Sequence, residues 1–244
     1  MISSLQNERV KYWNSLKNTK ERNYEKLFIV EGEHLVEEAL KNNIVKTIIY
    51  CNELPKLNYK DVEIVEVSEK VIEKLASTKS PQKIMAICHF MEDKKEYGNK
   101  IVFLDGVQDP GNGGTIIRSA LAFNFDNCLI SNESFDIYND KFIRSTQGAF
   151  FALPINKVNN VEEIKRLKEM GYTIIVTNLR KDSIELRSLP KLEKIVLVLG
   201  NEGNGVSKEV IELADYNVII KISNKVESLN VASAASICMY KFMD

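Results

Sequence analysis

The sequence predicts an α/β protein in two parts: a small α/β domain over residues 1–94 and a larger one over residues 95–244 with a mainly parallel sheet. Three observations carry that expectation. Strand-like and helix-like runs alternate along the whole chain, as α/β architecture requires. The stretch EDKKEYGNK at 92–100 has almost no apolar residue, separates two such regions and reads as a domain boundary. Beyond it the strand-like runs become continuously apolar, the pattern of parallel strands buried on both faces.

In the first part the expected strands are LFIV (27–30), VKTIIYC (45–51), VEIVEV (62–67) and IMAICHF (84–90). The helices between them are EHLVEEALKNN and SEKVIEKLAST, with Ser68 as a cap, and Ser80-Pro81 is a turn. The opening stretch carries Arg9, Lys11, Lys17, Lys20, Arg22 and Lys26 against Glu8, Glu21 and Glu25, interleaved with Tyr12, Trp13 and Tyr24. Two readings fit it: a surface that holds phosphates and stacks bases, or a solvated helix with its aromatic rings turned inward.

In the second part the strands are IVFLDG, CLIS, YTIIVTN, IVLVLG and NVIIKI. NGGTIIRSALAF forms a helix after the first of them. NVEEIKRLKEMG is amphipathic, with Asn160 as its cap and Gly171 just past its end, and SKEVIELA is capped by Ser207. The final helix, LNVASAASICMYKFM, has small residues Ala232, Ala234 and Ala235 that permit close approach of another backbone.

Composition excludes several classes. The 244 residues are 44% hydrophobic, enough for a substantial core without staples. Cys51, Cys88, Cys128 and Cys238 are far apart, with no C-x-x-C pair, and His34 and His89 are isolated from them. No zinc site is expected, and the cysteines read as small apolar residues in a reducing compartment. No run approaches the roughly 20 apolar residues of a membrane span, and the N-terminus lacks a signal-peptide core, so a cytoplasmic protein is expected. Lys and Arg number 33 against 34 Asp and Glu, so no global basic field argues for nucleic acid.

In open α/β sheets ligands bind at the carboxyl ends of the strands. Three loops there stand out: LDGVQDPGNGGTIIRSA (104–120), IVLVLGNEGNGVS (195–207) and IKISNKVESLNVASAAS (220–236). The familiar glycine motifs fail on residues. A dinucleotide fingerprint is broken at Ile116, and Gly200, Gly203 and Gly205 have its spacing reversed. A P-loop would need lysine where Val206 stands, and no G-x-S-x-G elbow exists.

Taken together, in order and spacing, DPGNGGTIIRSA, LVLGNEGNGVS and IKISNKVESLNVASAASI resemble the three signature motifs of the SpoU-type (TrmH-like) RNA ribose 2′-O-methyltransferases of the SPOUT superfamily. The match runs from Ile101 to the C-terminus. KLFIVEGEHLVEEAL and TKSPQKIMAI resemble, more loosely, the L30e-like substrate-binding domain that often precedes the catalytic one.

The resemblance implies a trefoil-knotted catalytic domain, S-adenosylmethionine as cofactor, RNA as substrate and a homodimer formed through the C-terminal domain, with no metal, membrane or DNA. Ribosomal RNA of the 23S type is the expected substrate; transfer RNA is the alternative. A non-catalytic RNA-binding protein on the same fold and an antibiotic-resistance methyltransferase are the other readings. By carry-over, Asn112, Arg118, Glu202, Ser228 and Asn230 form the catalytic set. Thr177, Leu199, Gly200, Gly203, Ile220 and Leu229 line the cofactor pocket.

Chemistry agrees with those residue types. Methyl transfer from a sulfonium to a hydroxyl depends on alignment of the acceptor oxygen, and glycine loops let backbone groups approach a ligand closely. Arg118 is either a phosphate clamp or the base, although a guanidinium normally stays charged. Asn112 and Asn230 are each either a helix cap or a ribose-positioning amide, and Glu202 organises polar groups rather than acting as the base.

Overall fold

Residues 1–94, 96–178 and 183–243 are described by the computed structural model, so Lys95 of the expected linker lies outside them. In chain order the elements are α1 (Glu8–Ser15), α2 (Thr19–Glu25), β1 (Leu27–Glu31), α3 (Glu33–Lys41), β2 (Val45–Tyr50), β3 (Glu63–Glu66), α4 (Glu69–Leu75), β4 (Ile84–His89), β5 (Lys100–Asp105), α5 (Pro110–Ala122) and β6 (Asn127–Ser131). They continue with α6 (Asp140–Thr146), α7 (Ala149–Ala152), β7 (Ile155–Val158), α8 (Asn160–Glu169), β8 (Thr173–Thr177), β9 (Ile184–Glu185), a 3₁₀ turn (Leu186–Ser188), β10 (Ile195–Gly200), α9 (Lys208–Ile211), β11 (Tyr216–Ile219) and α10 (Val231–Tyr240). The chain forms two compact units: Met1–Glu92 with Asp136–Phe151, and Asp93–Phe135 with Ala152–Asp244.

The first unit is built on a four-stranded sheet in the order β1-β4-β2-β3. β4 runs antiparallel to β1 and to β2, while β2 and β3 are parallel. Trp13 and Val10 of α1 are buried with Leu27, Ile49, Val67, Val71, Ile72 and Met85, so that tryptophan faces the core. Tyr24 behaves oppositely and is 82% exposed. Neither reading of the opening stretch therefore holds for all its aromatics.

The segment 136–151 adds Tyr138, Phe142, Ile143, Phe150 and Phe151 to this unit's buried residues. Tyr138 stacks on Phe90 with centroids 3.6 Å apart, Phe150 meets Phe28 edge-on, and Tyr138 Oη accepts from Met91 N–H. Asp136 forms a 2.6 Å ion pair with the buried guanidinium of Arg22, which also donates to the carbonyls of Leu16 and Lys17. The sequence reading gave this segment no element; α6 and α7 are too short for a clear helical period.

The second unit contains a seven-stranded sheet in the order β7-β6-β5-β10-β8-β11-β9, in which every paired neighbour is parallel. All residues of β6 and β10 are buried, as are five of the six in β5, which fits the apolar runs IVFL, CLI and IVLVL within them. The chain moves from β5 outward through β6 and β7, then crosses to the other half, where β8 and the edge strand β9 form first, β10 fills the place between β5 and β8, and β11 the place between β8 and β9. Strand order thus reverses between β5 and β10, the place where an open α/β sheet leaves a crevice.

Two caps differ from expectation. α8 is capped by Asn159, whose side chain accepts from Glu162 N–H, leaving the Asn160 amide free to donate elsewhere. α5 is capped by Asp109, which accepts from Asn112 N–H and is followed by Pro110 at the first helical position, where its missing N–H costs nothing. Asn112 is the third residue of that helix, not its cap. All four cysteines are free and buried, and burial pushes the Cys88 and Cys128 thiols up and that of Cys238 up to about 12. As neutral thiols these three are poor nucleophiles.

Candidate active site

Parallel register brings the first two motif loops together: Gly200 at the end of β10 lies opposite Asp105 at the end of β5. The chain leaves β10 through Asn201, whose amide donates to Gly106 O at 2.8 Å and whose Oδ1 accepts from the N–H groups of Gly203 and Asn204. Backbone hydrogen bonds in both directions between Asn201 and Gly205 close the turn. Glu202 is thereby directed at the start of α5. Its carboxylate accepts from Gln108 N–H (3.1 Å), Asp109 N–H (3.2 Å) and the Asn112 amide (3.0 Å).

The third loop joins through one contact. Asn230 Nδ2 donates to Asn112 Oδ1 at 2.9 Å, while Asn230 Oδ1 accepts from Ala232 and Ser233 N–H and so caps α10. The direction of this chain is determined at both ends. Glu202, ionised, can only accept, and the backbone N–H groups of α10 can only donate. Asn112 must therefore turn its NH₂ to Glu202 and its oxygen to Asn230, and Asn230 must turn its NH₂ to Asn112. Each amide keeps a second N–H for a ligand.

Burial pushes the Glu202 carboxyl up, but the Asn112 amide and the backbone donors outweigh it, and its pKa lies below the ordinary value. The carboxylate is consequently charged throughout the neutral range and is a weak proton acceptor.

Arg118 and Ser228 do not join the chain. Arg118 is exposed, six residues beyond Asn112 and so on another face of α5. Ser228 is exposed two residues before Asn230. Among the described residues neither has a side-chain hydrogen bond or ion pair.

The residues expected to line a cofactor pocket cluster at the carboxyl ends of three adjacent strands. Thr177 ends β8, Leu199 and Gly200 end β10, and Ile220 follows β11. Thr177 Oγ1 donates to Val198 O, tying β8 to β10. Leu229 is half-buried, lies outside any helix or strand, and its peptide makes no hydrogen bond among the described residues. Such a peptide suits the edge of an adenine ring or a ribose hydroxyl. Gly200 serves the chain itself: a Cβ there would lie 2.2 Å from Gly205 C and Val206 N. At Gly203 a Cβ would meet only Asn201 Oδ1, at an ordinary 3.5 Å.

Sequence reasoning missed Gln108 and Asp109, which act through backbone N–H groups and leave no side-chain signature, and Asn201, which looked like one more turn residue. The Asp109-Pro110 pair did carry a readable cap signal. Among the described residues no group of His, Cys, Asp and Glu could hold a metal ion, and no helix is long and apolar enough to cross a membrane.

Known proteins are similar to this chain in sequence and in fold. Residues 99–240 match the SpoU rRNA Methylase family, and residues 7–86 match the MRM3-like substrate binding domain. The chain is 38% identical to the 23S rRNA (guanosine(2553)-2′-O)-methyltransferase RlmP of Bacillus subtilis, over 98% of this chain and 97% of that protein. The AdoMet-bound rRNA methyltransferase of Sinorhizobium meliloti superposes with a TM-score of 0.89 at 29% identity, covering 99% of this chain and 96% of that one. The SpoU methyltransferase AviRb of Streptomyces viridochromogenes, in complex with AdoMet, superposes with a TM-score of 0.88 at 25% identity, covering 98% and 97%. With three motif loops converging on one crevice and a family match across more than half its length, the chain belongs to the SpoU rRNA methylase family and carries an MRM3-like substrate-binding domain ahead of the methylase domain.

Proposed function

We propose that this protein transfers a methyl group from S-adenosylmethionine to the 2′-oxygen of a ribose in 23S-type ribosomal RNA. The observation that carries this reading is the hydrogen-bonded chain Glu202, Asn112, Asn230 at the switch point of the parallel sheet, in a member of the SpoU family whose Bacillus subtilis relative is named for that reaction.

The cofactor supplies a methyl group on a positively charged sulfur. Thr177, Leu199, Gly200, Gly203, Ile220 and Leu229 hold it in this reading, and the Leu229 peptide, which has no hydrogen-bond partner among the described residues, fits that role. The second N–H groups of Asn112 and Asn230 hold the ribose and its neighbouring phosphate, so that the acceptor oxygen is aligned before reaction. Glu202 fixes both amides and takes no proton; the proton released from the acceptor hydroxyl passes to solvent water. Arg118, exposed and without a side-chain partner among the described residues, grips a phosphate beside the target ribose, and Ser228 contributes its hydroxyl.

Residues 1–94 serve as the substrate-binding domain and 95–244 as the methyltransferase. In this reading the catalytic domain is trefoil-knotted and the protein works as a cytoplasmic homodimer. Exposed Leu121 on α5, Ile237 and Tyr240 on α10 and Met243 beyond it support a second copy covering that face, and the exposure of Arg118 on α5 supports its acting in a shared site.

Incubation with labelled S-adenosylmethionine and separate pools of ribosomal and transfer RNA, followed by mapping of alkaline-resistant linkages, tests the reading. A 2′-O-methyl removes the nucleophile of alkaline cleavage, so a resistant position in 23S RNA is expected. Label confined to bases, to transfer RNA or to no RNA overturns it.

A further inference from the structure

We infer that Asp105 is a positioning residue of the methyl-transfer site, holding the Glu202 loop in register with the start of α5. The inference rests on the proposed function for its meaning and on the geometry of the second unit for its content. Asp105 ends β5 and is only 4% exposed, yet it meets no cation among the described residues. Three neutral donors satisfy it instead. Oδ1 accepts from Asn160 Nδ2 at 2.8 Å, and Oδ2 accepts from Ser207 N–H at 2.8 Å and from Ser207 Oγ–H at 2.7 Å.

These contacts place the loop 201–207 between two anchors on consecutive residues. Gly106 O holds Asn201 at one end, and Asp105 holds Ser207 at the other. Glu202 lies between the anchors and meets Gln108 and Asp109, two and three residues beyond Gly106. Displacing Ser207 from Asp105 therefore releases one end of the segment that presents Glu202 to Asn112. A buried carboxylate is retained here because only an acceptor-only group can serve donors on both of its oxygens.

That polarity makes the role separable from simple packing. Asp105→Asn is isosteric, but it must turn an NH₂ toward either Ser207 or Asn160. The Ser207 N–H cannot reverse. The Asn160 amide is held as it stands because its Oδ1 accepts from Val161 N–H at 2.8 Å. D105N thus opposes donor to donor at Asn160. Adding Asn160→Asp restores a pair with reversed polarity, keeps an acceptor for Val161 N–H, and adds an anion at the first residue of α8, where a helix favours one.

The test compares parent, D105N and the D105N/N160D double variant of the full chain. The readouts are kcat and KM for labelled methyl transfer to ribosomal RNA, melting temperature, and amide exchange across 201–207. D105N is expected to lose kcat by about 10²-fold with KM for RNA nearly unchanged and to exchange faster across 201–207, the double variant recovering both. A D105N enzyme with parental kcat and exchange, or a double variant no better than D105N, overturns the inference. If D105N does not fold, Ser207→Ala decides. It removes one donor only, and faster exchange at 201–206 supports the inference whereas parental exchange overturns it. A parent that methylates no RNA would end the functional reading, while the exchange data would still decide whether Asp105 holds the loop.

Discussion

The side-chain amide of Asn230 donates to Asn112 Oδ1 at 2.9 Å, joining residues 118 positions apart. Because Asn112 also donates to Glu202, one side chain links all three motif loops. Asn112→Ala breaks both links at a half-buried site. Its stability loss is expected to be about 1 kcal/mol, whereas turnover should fall about 10²-fold or more through lost alignment. Asn112→Asp should be slower still at neutral pH, because it places a second carboxylate against Glu202. Steady-state methylation of both variants checks the order.

Arg118→Ala removes an exposed side chain with no partner among the described residues. The melting temperature should shift by the equivalent of no more than about 0.5 kcal/mol, and turnover should be lost with cofactor affinity retained. Calorimetric titration with S-adenosylmethionine, beside an activity assay, separates the two. Loss of cofactor binding would count against a phosphate-clamp role.

The Glu202 pKa is depressed by its donors despite burial, so the sign of its pH dependence is determined. A carboxyl whose folded pKa lies below its unfolded value contributes stability above the unfolded pKa, and that contribution disappears as pH falls through the folded value. Glu202→Gln should therefore be less stable than the parent at neutral pH, with the gap narrowing in acid below the ordinary carboxylate range. Melting curves of both proteins across that range test it.

Gly200→Ala forces a Cβ to 2.2 Å from backbone atoms of Gly205 and Val206, which cannot swing aside as a side chain could. A cost of about 3 kcal/mol is expected, with the loop opened and cofactor affinity reduced. Gly203→Ala meets no such obstacle and should melt near the parent. Denaturant titration of the pair measures the contrast.

Asp136→Ala in the full chain leaves the buried Arg22 guanidinium without its carboxylate. Removing one partner of a buried pair typically costs about 3 kcal/mol, and the loss should appear as a lower melting temperature of the first unit, followed through the near-ultraviolet signal of its Trp13.

Much of this was legible in sequence because it depends on local pattern. A continuous apolar run as short and β-branched as IVLVLG reads as a strand buried on both faces, and β10 is buried throughout. The ordered motifs named Glu202, Asn112 and Asn230 before their contacts were visible. Local pattern was insufficient at the caps, where adjacent residues compete for one helix start and Asn159 prevailed over Asn160. It was also insufficient in 136–151, whose aromatic residues belong to a core assembled from residues far away in sequence.

By itself, then, the sequence determined the α/β class, the four strands of the first sheet, five of the seven in the second and the three loops that carry chemistry, because periodicity and turn residues are properties of neighbours; β7 and β9, four and two residues long, are too short to show a period. Tertiary structure alone decided that Glu202 meets the Asn112 amide, that Asn230 both caps α10 and extends the chain, and that Asp105 anchors Ser207. Each of those contacts joins segments about 90 or more residues apart, except the cap itself. Their existence depends on β5 and β10 lying side by side where strand order reverses, a relation that no local pattern in the chain records.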